Sequence, residues 1–405
     1  MSLDLTKVAP QIEGMARTLS EGSEERRRHC AAAVSILHRE KDKFDALRRK
    51  TLGSRTPFLP VAGPVGTLDA AIAPKPLPPD FTVIATDGSH IDVDRHRQAR
   101  CFLLNISAVS LTYGAHPAAT LDSFPRLYFG DDETALKPPA GVSGRAQVLE
   151  GALLGIKRSA DECDMLAMLA EGLPEKSTAL ALMDGALILW GLGSKDYPEF
   201  VIETFLQQGQ LKHLSRMKRL NETRKLAVAS YISFPRSNDV MSTVRIAACP
   251  HEFADCGRYC DTIAPGKREC DAVSGVSDRE LFYNLLKAGE RSALYESTAT
   301  LVKEHYGEHG VCFFYLRVDG EIARIEMPKW VTENEALLEL THTLVLDQTK
   351  RGQGYPAALS EAHEQAVITG ADRENFWQLT ESYLEEENLP TTGSAKNFSK
   401  KTRWI

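Results

Sequence analysis

The 405-residue chain has no run of about 18 apolar residues, so nothing in it reads as a transmembrane helix. Its N-terminus, "MSLDLTKVAPQIEGMARTL", lacks the basic-then-apolar layout of a signal peptide, and the expected location is the cytoplasm. No Walker A pattern, G-x-x-x-x-G-K-[ST], occurs, so ATP-driven movement of a nucleic acid would have to come from another protein. There is no internal repeat. Excess positive charge is absent too: the net charge is −7, whereas a nucleic-acid binder would more simply be basic. Such a function would need a local basic patch, metal ions or a partner. What is present, 43% hydrophobic and 25% charged residues, fits a globular protein of one large domain or two. In a reducing compartment the eight cysteines read as core residues, metal ligands or reactive groups rather than disulfides.

Residues from about 11 to 50 repeat apolar side chains at helical spacing, at Ala32, Val34, Leu37, Phe44 and Leu47. Arg26, Arg27 and Arg28 on that stretch read as a solvated face or as phosphate contacts. A Pro-rich linker follows, "APKPLPPD", Ala73 to Asp80. Then come three strands close together: Phe81–Thr86, "ARCFLLNISAVSLTYG" and the short "PRLYFG". A helix is expected over about 144–171, a strand in "STALALMDGALILWG", a helix over about 200–222 and a strand in "KLAVASYISF". Three closely spaced strands can form an antiparallel meander, while strands separated by helices need parallel crossovers. That order predicts an α/β fold with a ribonuclease H-like mixed sheet flanked by helices, not a doubly wound nucleotide-binding fold. Further on, "GVCFFYLRVDGEIARIEMP" predicts a hairpin turning at Asp319-Gly320. Thr332 and Glu335 suggest a capping box, and Gly370 a stop for the helix in "GYPAALSEAHEQAVITG". The tail, "SAKNFSKKTRWI", is basic.

Asp87 and Asp184 share a local design: an apolar strand, then Asp, Gly and a small residue. Burying a lone carboxylate is costly unless it is paired or metal-bound. Two such strands side by side would crowd two like charges, which divalent cations relieve. Two metals about 3.5–4 Å apart can activate water and hold a phosphodiester leaving group. The plainer reading is that each Asp caps a turn, since Asp-Gly is a common turn pair. Gly88 and Gly185 would leave room for a substrate backbone. A third acid should come from a neighbouring helix; Glu150 is the first candidate, with Glu162 and Glu171 as substitutes. Arg324 and Arg291 could hold phosphate as bidentate donors or serve as structural ion-pair residues.

The segments "ATDGSH", "LMDGALI", "VASYISFPRS" and "GYPAALSEAHEQAVI" occur in the order found in the NurA family, nucleases that work with a HerA-type hexameric ATPase translocase; the chain resembles that family over most of its length after residue 80. The resemblance implies a homodimer and manganese- or magnesium-dependent cleavage of DNA with end resection. It implies Asp87 and Asp184 as metal ligands, joined by His363 from the late helix, and Tyr231 near the scissile phosphate. On its own His363 would be a satisfied helix histidine, but imidazole also suits manganese. Relatives often carry a lysine soon after the "YI" strand; Ser233-Phe234-Pro235-Arg236 stands here, so Arg236 takes a phosphate-contacting role or none exists. On this reading 1–72 is a helical region and 73–405 a NurA-like nuclease domain. The alternative is a catalytically silent scaffold that docks on the ATPase.

Cys249, Cys256, Cys260 and Cys270 lie within 22 residues among polar, Gly and Pro positions, in a stretch of about 246–275 that reads as an insertion. Their spacing, C-x6-C-x3-C-x9-C, is looser than that of usual structural zinc sites. Zinc, an iron–sulfur cluster and metal-free thiols all remain open.

Overall fold

The computed structural model describes residues 4–58, 61–94, 97, 99–193 and 197–389. The basic tail expected at 394–405 lies outside the described residues. The chain opens with helices α1 (Leu5–Glu21), α2 (Ser23–Glu40) and α3 (Phe44–Gly53), then strand β1 (Ala62–Val65). After the Pro-rich linker come β2 (Phe81–Thr86), β3 (Gly88–Ile91), β4 (Cys101–Tyr113) and β5 (Ala118–Phe129). Next are helix α4 (Ala152–Glu171), β6 (Thr178–Asp184), α5 (Lys212–Leu220) and β7 (Lys225–Ile232). Helices α6 (Asp239–Ala248) and α7 (Asp278–Leu285) precede β8 (Leu294–Ser297), β9 (Val311–Val318) and β10 (Glu321–Pro328). Helices α8 (Glu335–Arg351), α9 (Ala357–Ala366) and α10 (Gly370–Glu386) complete the described chain.

The chain divides into two compact units. One comprises Lys75–Tyr231, Lys303–His309 and Glu326–Ile405, so its first boundary falls inside the Pro-rich linker. Its sheet runs β5-β4-β2-β6-β7. Strand β4 is antiparallel to β2 and to β5, while β6 is parallel to β2 and β7 parallel to β6. Leaving aside the short β3, which pairs with β4 beyond the end of β2, the order by appearance is third-second-first-fourth-fifth: a meander followed by parallel crossovers, the ribonuclease H-like arrangement expected from the spacing of the strands. All six residues of β2 are buried, which a central strand covered on both faces requires. Helix α4 buries Leu154, Cys163, Leu166, Ala167 and Ala170.

Several elements depart from the expected pattern, each for a local reason. β5 is about twice as long as expected, because it pairs residue by residue with β4 from Thr112↔Ala118 to Cys101↔Phe129. It is an edge strand, with Leu121, Phe124, Leu127 and Phe129 between 37% and 65% exposed. The helix expected over 200–222 is broken by a π-helical turn, Glu203–Leu211, at whose Gly209 the backbone leaves helical angles. A Cβ at Gly209 would sit 3.2 Å from that of Ala160, so a close approach to α4 accompanies the break. Helix α8 is capped by Asn334, whose side chain accepts from the amides of Ala336 and Leu337; Thr332 bonds instead to the carbonyl of Lys329. Gly370 opens α10 rather than ending α9, and Thr369 and Asp372 form the capping box there.

The other unit comprises Met1–Pro74, Ile232–Val302 and Gly310–Ile325. The N-terminal helices therefore share one body with the cysteine-bearing segment. Cys30, Ala33 and Leu37 of α2 and Leu47 of α3 enter one core with Val240, Met241 and Val244 of α6, Phe282 of α7, and Tyr295, Phe313 and Tyr315. The amphipathic pattern read over 11–50 is the half of that core that α2 and α3 supply. β9 and β10 form the expected hairpin about Asp319-Gly320, with Asp319 in the left-handed region at φ 32°. Leu37→Ala should cost about 2–5 kcal/mol in denaturant unfolding, as for a large buried side chain. Leu19→Ala, on the exposed α1, should change it by less than about 0.5 kcal/mol.

Candidate active site

Strands β2 and β6 lie side by side and parallel, with Thr86 opposite Met183, so Asp87 and Asp184 leave the same end of the sheet. The apolar runs before each Asp bury the strands; the carboxylates come where the strands end. Asp87 is held from three sides. Its amide donates to Ser107 Oγ at 3.0 Å, its Oδ1 accepts from the amide of Gly88 at 2.7 Å, and its Oδ2 meets His363 Nδ1 at 2.9 Å. An ionised carboxylate only accepts, so Nδ1 of His363 is the donor in this contact and Nε2 is left free of Asp87.

His363 sits on α9, whose C-terminal turn is tied to the strands. Ser89 Oγ and Asn105 Nδ2 both donate to the carbonyl of Ala366. Asp184 is held differently. The hydroxyl of Tyr355 and the amide of Gly185 hydrogen-bond to it, and Gly185 takes the positive φ of 79° that the turn requires. Asp184 is exposed at the strand end, yet the protein packed around its carboxylate, and then the charge of Asp87, raise its pKa against those hydrogen bonds.

The third acid is Glu162, in the middle of α4. It is 8% exposed. Burial raises its pKa to about 8, against the nearby Arg158 guanidinium, and the charges of Asp87 and Asp184 add to the rise. Arg158 Nε stands 3.1 Å from Glu162 Oε1, yet neither atom makes a hydrogen bond in that geometry. Gly88 is what lets Glu162 in: a Cβ there would lie 2.6 Å from Glu162 Oε1 and 2.7 Å from Ile106 Cδ1. The room made by Gly88 is thus taken by the protein's own side chains, not by a substrate backbone.

Glu150 is half-buried and precedes α4. With the helix between them, Glu150 and Glu162 are separated by roughly 15 Å along the axis. Glu171 pairs with Arg216 at 2.7 Å. Tyr231 lies opposite Asp184 in the β6–β7 register and is fully buried, its ring edge-on to Tyr355 at 5.4 Å. Tyr355 bonds to the carboxylate; its signal in the sequence was its place in the Tyr-Pro start of the late helix.

Arg324 is 3% exposed, bound to Asp239 at 2.7 Å and stacked 3.6 Å from the Phe313 ring centre, which is the ion-pair environment of its two alternatives. Arg291, 7% exposed, likewise faces the core.

Cys249 caps α6, Cys256 and Cys260 flank a single helical turn, and Cys270 lies in a 3-10 turn. All are free and half-buried. Burial, with the other three thiols near it, pushes the Cys256 thiol up.

Among the described residues no three His, Cys, Asp or Glu side chains are already arranged to hold a metal ion. At the carboxylate site the donor chemistry nevertheless fits a hard divalent cation. Glu162, with an oxygen that makes no hydrogen bond and a pKa of about 8, lies within electrostatic reach of Asp87 and Asp184, and the His363 imidazole stands against Asp87.

In the absence of metal, folded Glu162 keeps a proton that the unfolded carboxyl releases near 4.5. Between 4.5 and about 8 the unfolded state binds fewer protons, so stability falls as pH rises through that window. Asp184, also raised, adds in the same direction. The melting temperature in EDTA should therefore drop across this range, and Glu162→Gln should flatten the drop. An identical slope in the variant would mean that Glu162 ionises freely.

A family model described as the NurA domain matches residues 81–368. No curated protein matches. Eight chains among solved structures match. One, titled the structure of Aquifex aeolicus Argonaute, is 11% identical with a TM-score of 0.27, over 71% of this chain. The chain spans 28% of that structure's length.

Proposed function

Because the chain belongs to the NurA family, a nuclease family, we propose that it hydrolyses DNA at the site formed by Asp87, Glu162, Asp184 and His363, using manganese or magnesium. The observation that carries this reading is that Asp87 and Asp184 leave the same end of two adjacent parallel strands while buried Glu162 packs against Gly88. On the catalytically silent alternative Glu162 would serve only as the charge partner of Arg158.

Asp87, Asp184 and Glu162 would hold the cation through oxygen. A divalent cation at such a site lowers the pKa of water and neutralises charge on the leaving oxygen of a phosphodiester. The chain's own groups do the rest. Gly88 and His363 fix the two oxygens of Asp87, and Tyr355 fixes Asp184. Glu162 gives up its proton when positive charge arrives. His363 is 68% exposed, so its Nε2 can accept a proton from water or give one to the departing oxygen. Arg158, 32% exposed, adds a positive charge at the edge of the carboxylates.

End-labelled single- and double-stranded DNA incubated with manganese, magnesium or EDTA tests the reading. Asp184→Asn should reduce cleavage to background. Tyr355→Phe, which removes only the hydrogen bond to Asp184, should cost ~10–100-fold. Full cleavage by Asp184→Asn, or cleavage in EDTA, would overturn the mechanism.

Two partners belong to the same proposal. One is a HerA-type hexameric ATPase, which would supply the DNA movement that a chain without a Walker A motif does not; adding it should stimulate degradation only with ATP. The other is a second copy of the chain. The exposed apolar β5 edge, with Leu127 at 44% and Phe129 at 65% exposure, supports it, since bare edges of this kind invite pairing. Sedimentation at micromolar concentration should give a dimer, shifted toward monomer by Leu127→Lys.

A further inference from the structure

In the unit that contains the N-terminal helices, a cavity of about 390 Å³ is lined by Phe58, Phe234, Arg236, Arg245, Ser277 and Arg279, among others. That volume is at the small-ligand end of binding pockets. Three guanidinium groups border it, and among the described residues none of the three has a carboxylate partner. The acids nearest in sequence face inward. Asp239 is bound to Arg324, and Asp278 accepts from the amides of Val240 and Met241 and from the hydroxyl of Tyr315. Glu280 is engaged by the amide and hydroxyl of Ser277. In a chain of net charge −7, three unneutralised arginines around one hollow make a local positive site that calls for an anion.

The aromatic residues narrow the choice of anion. The Arg279 guanidinium lies 3.5 Å from the Phe234 ring centre, and that of Arg245 lies 4.4 Å from the Phe58 ring centre. Arg245 Nε is buried and has no hydrogen-bond partner. Phe234 is 56% exposed. Its backbone takes φ 48°, a conformation that a bulky side chain rarely adopts. Apart from its contact with Arg279 the ring leaves more than half of its surface open in a strained turn, and strain of this kind is retained where a side chain must be presented. Guanidinium forks match phosphate oxygens, and exposed aromatic faces stack bases.

We propose that this cavity binds one nucleotide unit of a single-stranded nucleic acid, its phosphate held by Arg236, Arg245 and Arg279 and its base stacked on Phe234. The proposal rests on the nuclease reading for the identity of its ligand, but on separate residues for its geometry. A duplex would not offer a free base face, so the site favours a single strand over a duplex. It gives an acidic protein the local basic patch that contact with a nucleic acid requires.

The test is fluorescence anisotropy of a labelled single-stranded oligodeoxynucleotide in EDTA across a salt series, with cleavage assayed in parallel. Each of Arg236→Ala and Arg279→Ala should weaken binding and reduce the slope of log affinity against log salt by about 0.7 per lost contact. Phe234→Ala should weaken binding about tenfold at unchanged slope, since it removes stacking and no charge. Arg236 is exposed, so its replacement should leave the melting temperature unchanged and keep the test clear of misfolding. Asp184→Asn should bind like the parent while losing cleavage. Arginine variants that bind with the parent's affinity and slope would overturn the pocket and leave the nuclease reading standing. A parent that cleaves nothing, with variants that lose binding as described, would do the reverse. Saturable binding of a free 5′-mononucleotide, abolished by Arg279→Ala while strand binding is unchanged, would overturn assignment to a strand.

Discussion

Carboxyl groups within electrostatic reach of one another raise each other's pKa unless a compensating charge stands by. Asp87 and Asp184 leave the same end of two parallel strands, and α4 adds Glu162 from the side. Much of the local sequence in this unit serves that crowding. Gly88 has no side chain because Glu162 occupies the space. Tyr355 and the amide of Gly185 hold Asp184 down while the protein packed around its carboxylate and Asp87 push it up. Arg158, one turn before Glu162, offsets part of its burial without a hydrogen bond. On the proposed nuclease reading a cation here would displace the proton of Glu162, and proton release and cation uptake would be one equilibrium.

Support for the fourth group, His363, comes from the opposite direction. The C-terminal turn of α9 is pinned by Ser89 on β3 and Asn105 on β4, strands continuous with the one that carries Asp87. The imidazole is therefore placed by the sheet, although it belongs to a helix more than 270 residues further along. Most of it faces solvent, which suits a group that exchanges protons and would be wasteful in a core residue. Tyr231 takes the contrary role. Fully buried and edge-on to Tyr355, it fixes the ring whose hydroxyl reaches Asp184.

The unit containing the N-terminal helices spends its charges in two ways. Inside, Arg324, Asp239, Tyr315 and Asp278 form a connected buried network that also takes the first amides of α6. Buried ionic groups of this kind are tolerated because each has its partner. At the cavity, by contrast, Arg236, Arg245 and Arg279 are left without acids among the described residues, and two of them lie against aromatic rings. The same residue type is structural in one place and available in the other, and the difference is whether a carboxylate stands opposite.

How much of this could be read from the chain depends on the range of the interactions. Asp87 and Asp184 were legible because the signal is local: an apolar strand that ends on Asp-Gly needs only its own neighbours to be recognised. Strand order was legible for the same reason, since short gaps imply hairpins and helical gaps imply crossovers. Glu162 was named only as a substitute for Glu150, because which glutamate of a helix meets a sheet depends on the rotation of the helix and not on its composition. Arg324 stayed open between two roles because burial opposite Asp239 is a contact across 85 residues. Gly209 and the break in its helix were illegible, since the neighbour within reach, Ala160, lies on another element. Local periodicity and turn chemistry thus determined the elements and the two strand-end acids. Which distant side chains meet them was decided only by packing, because burial, pKa and partner choice are properties of neighbours in space rather than in sequence.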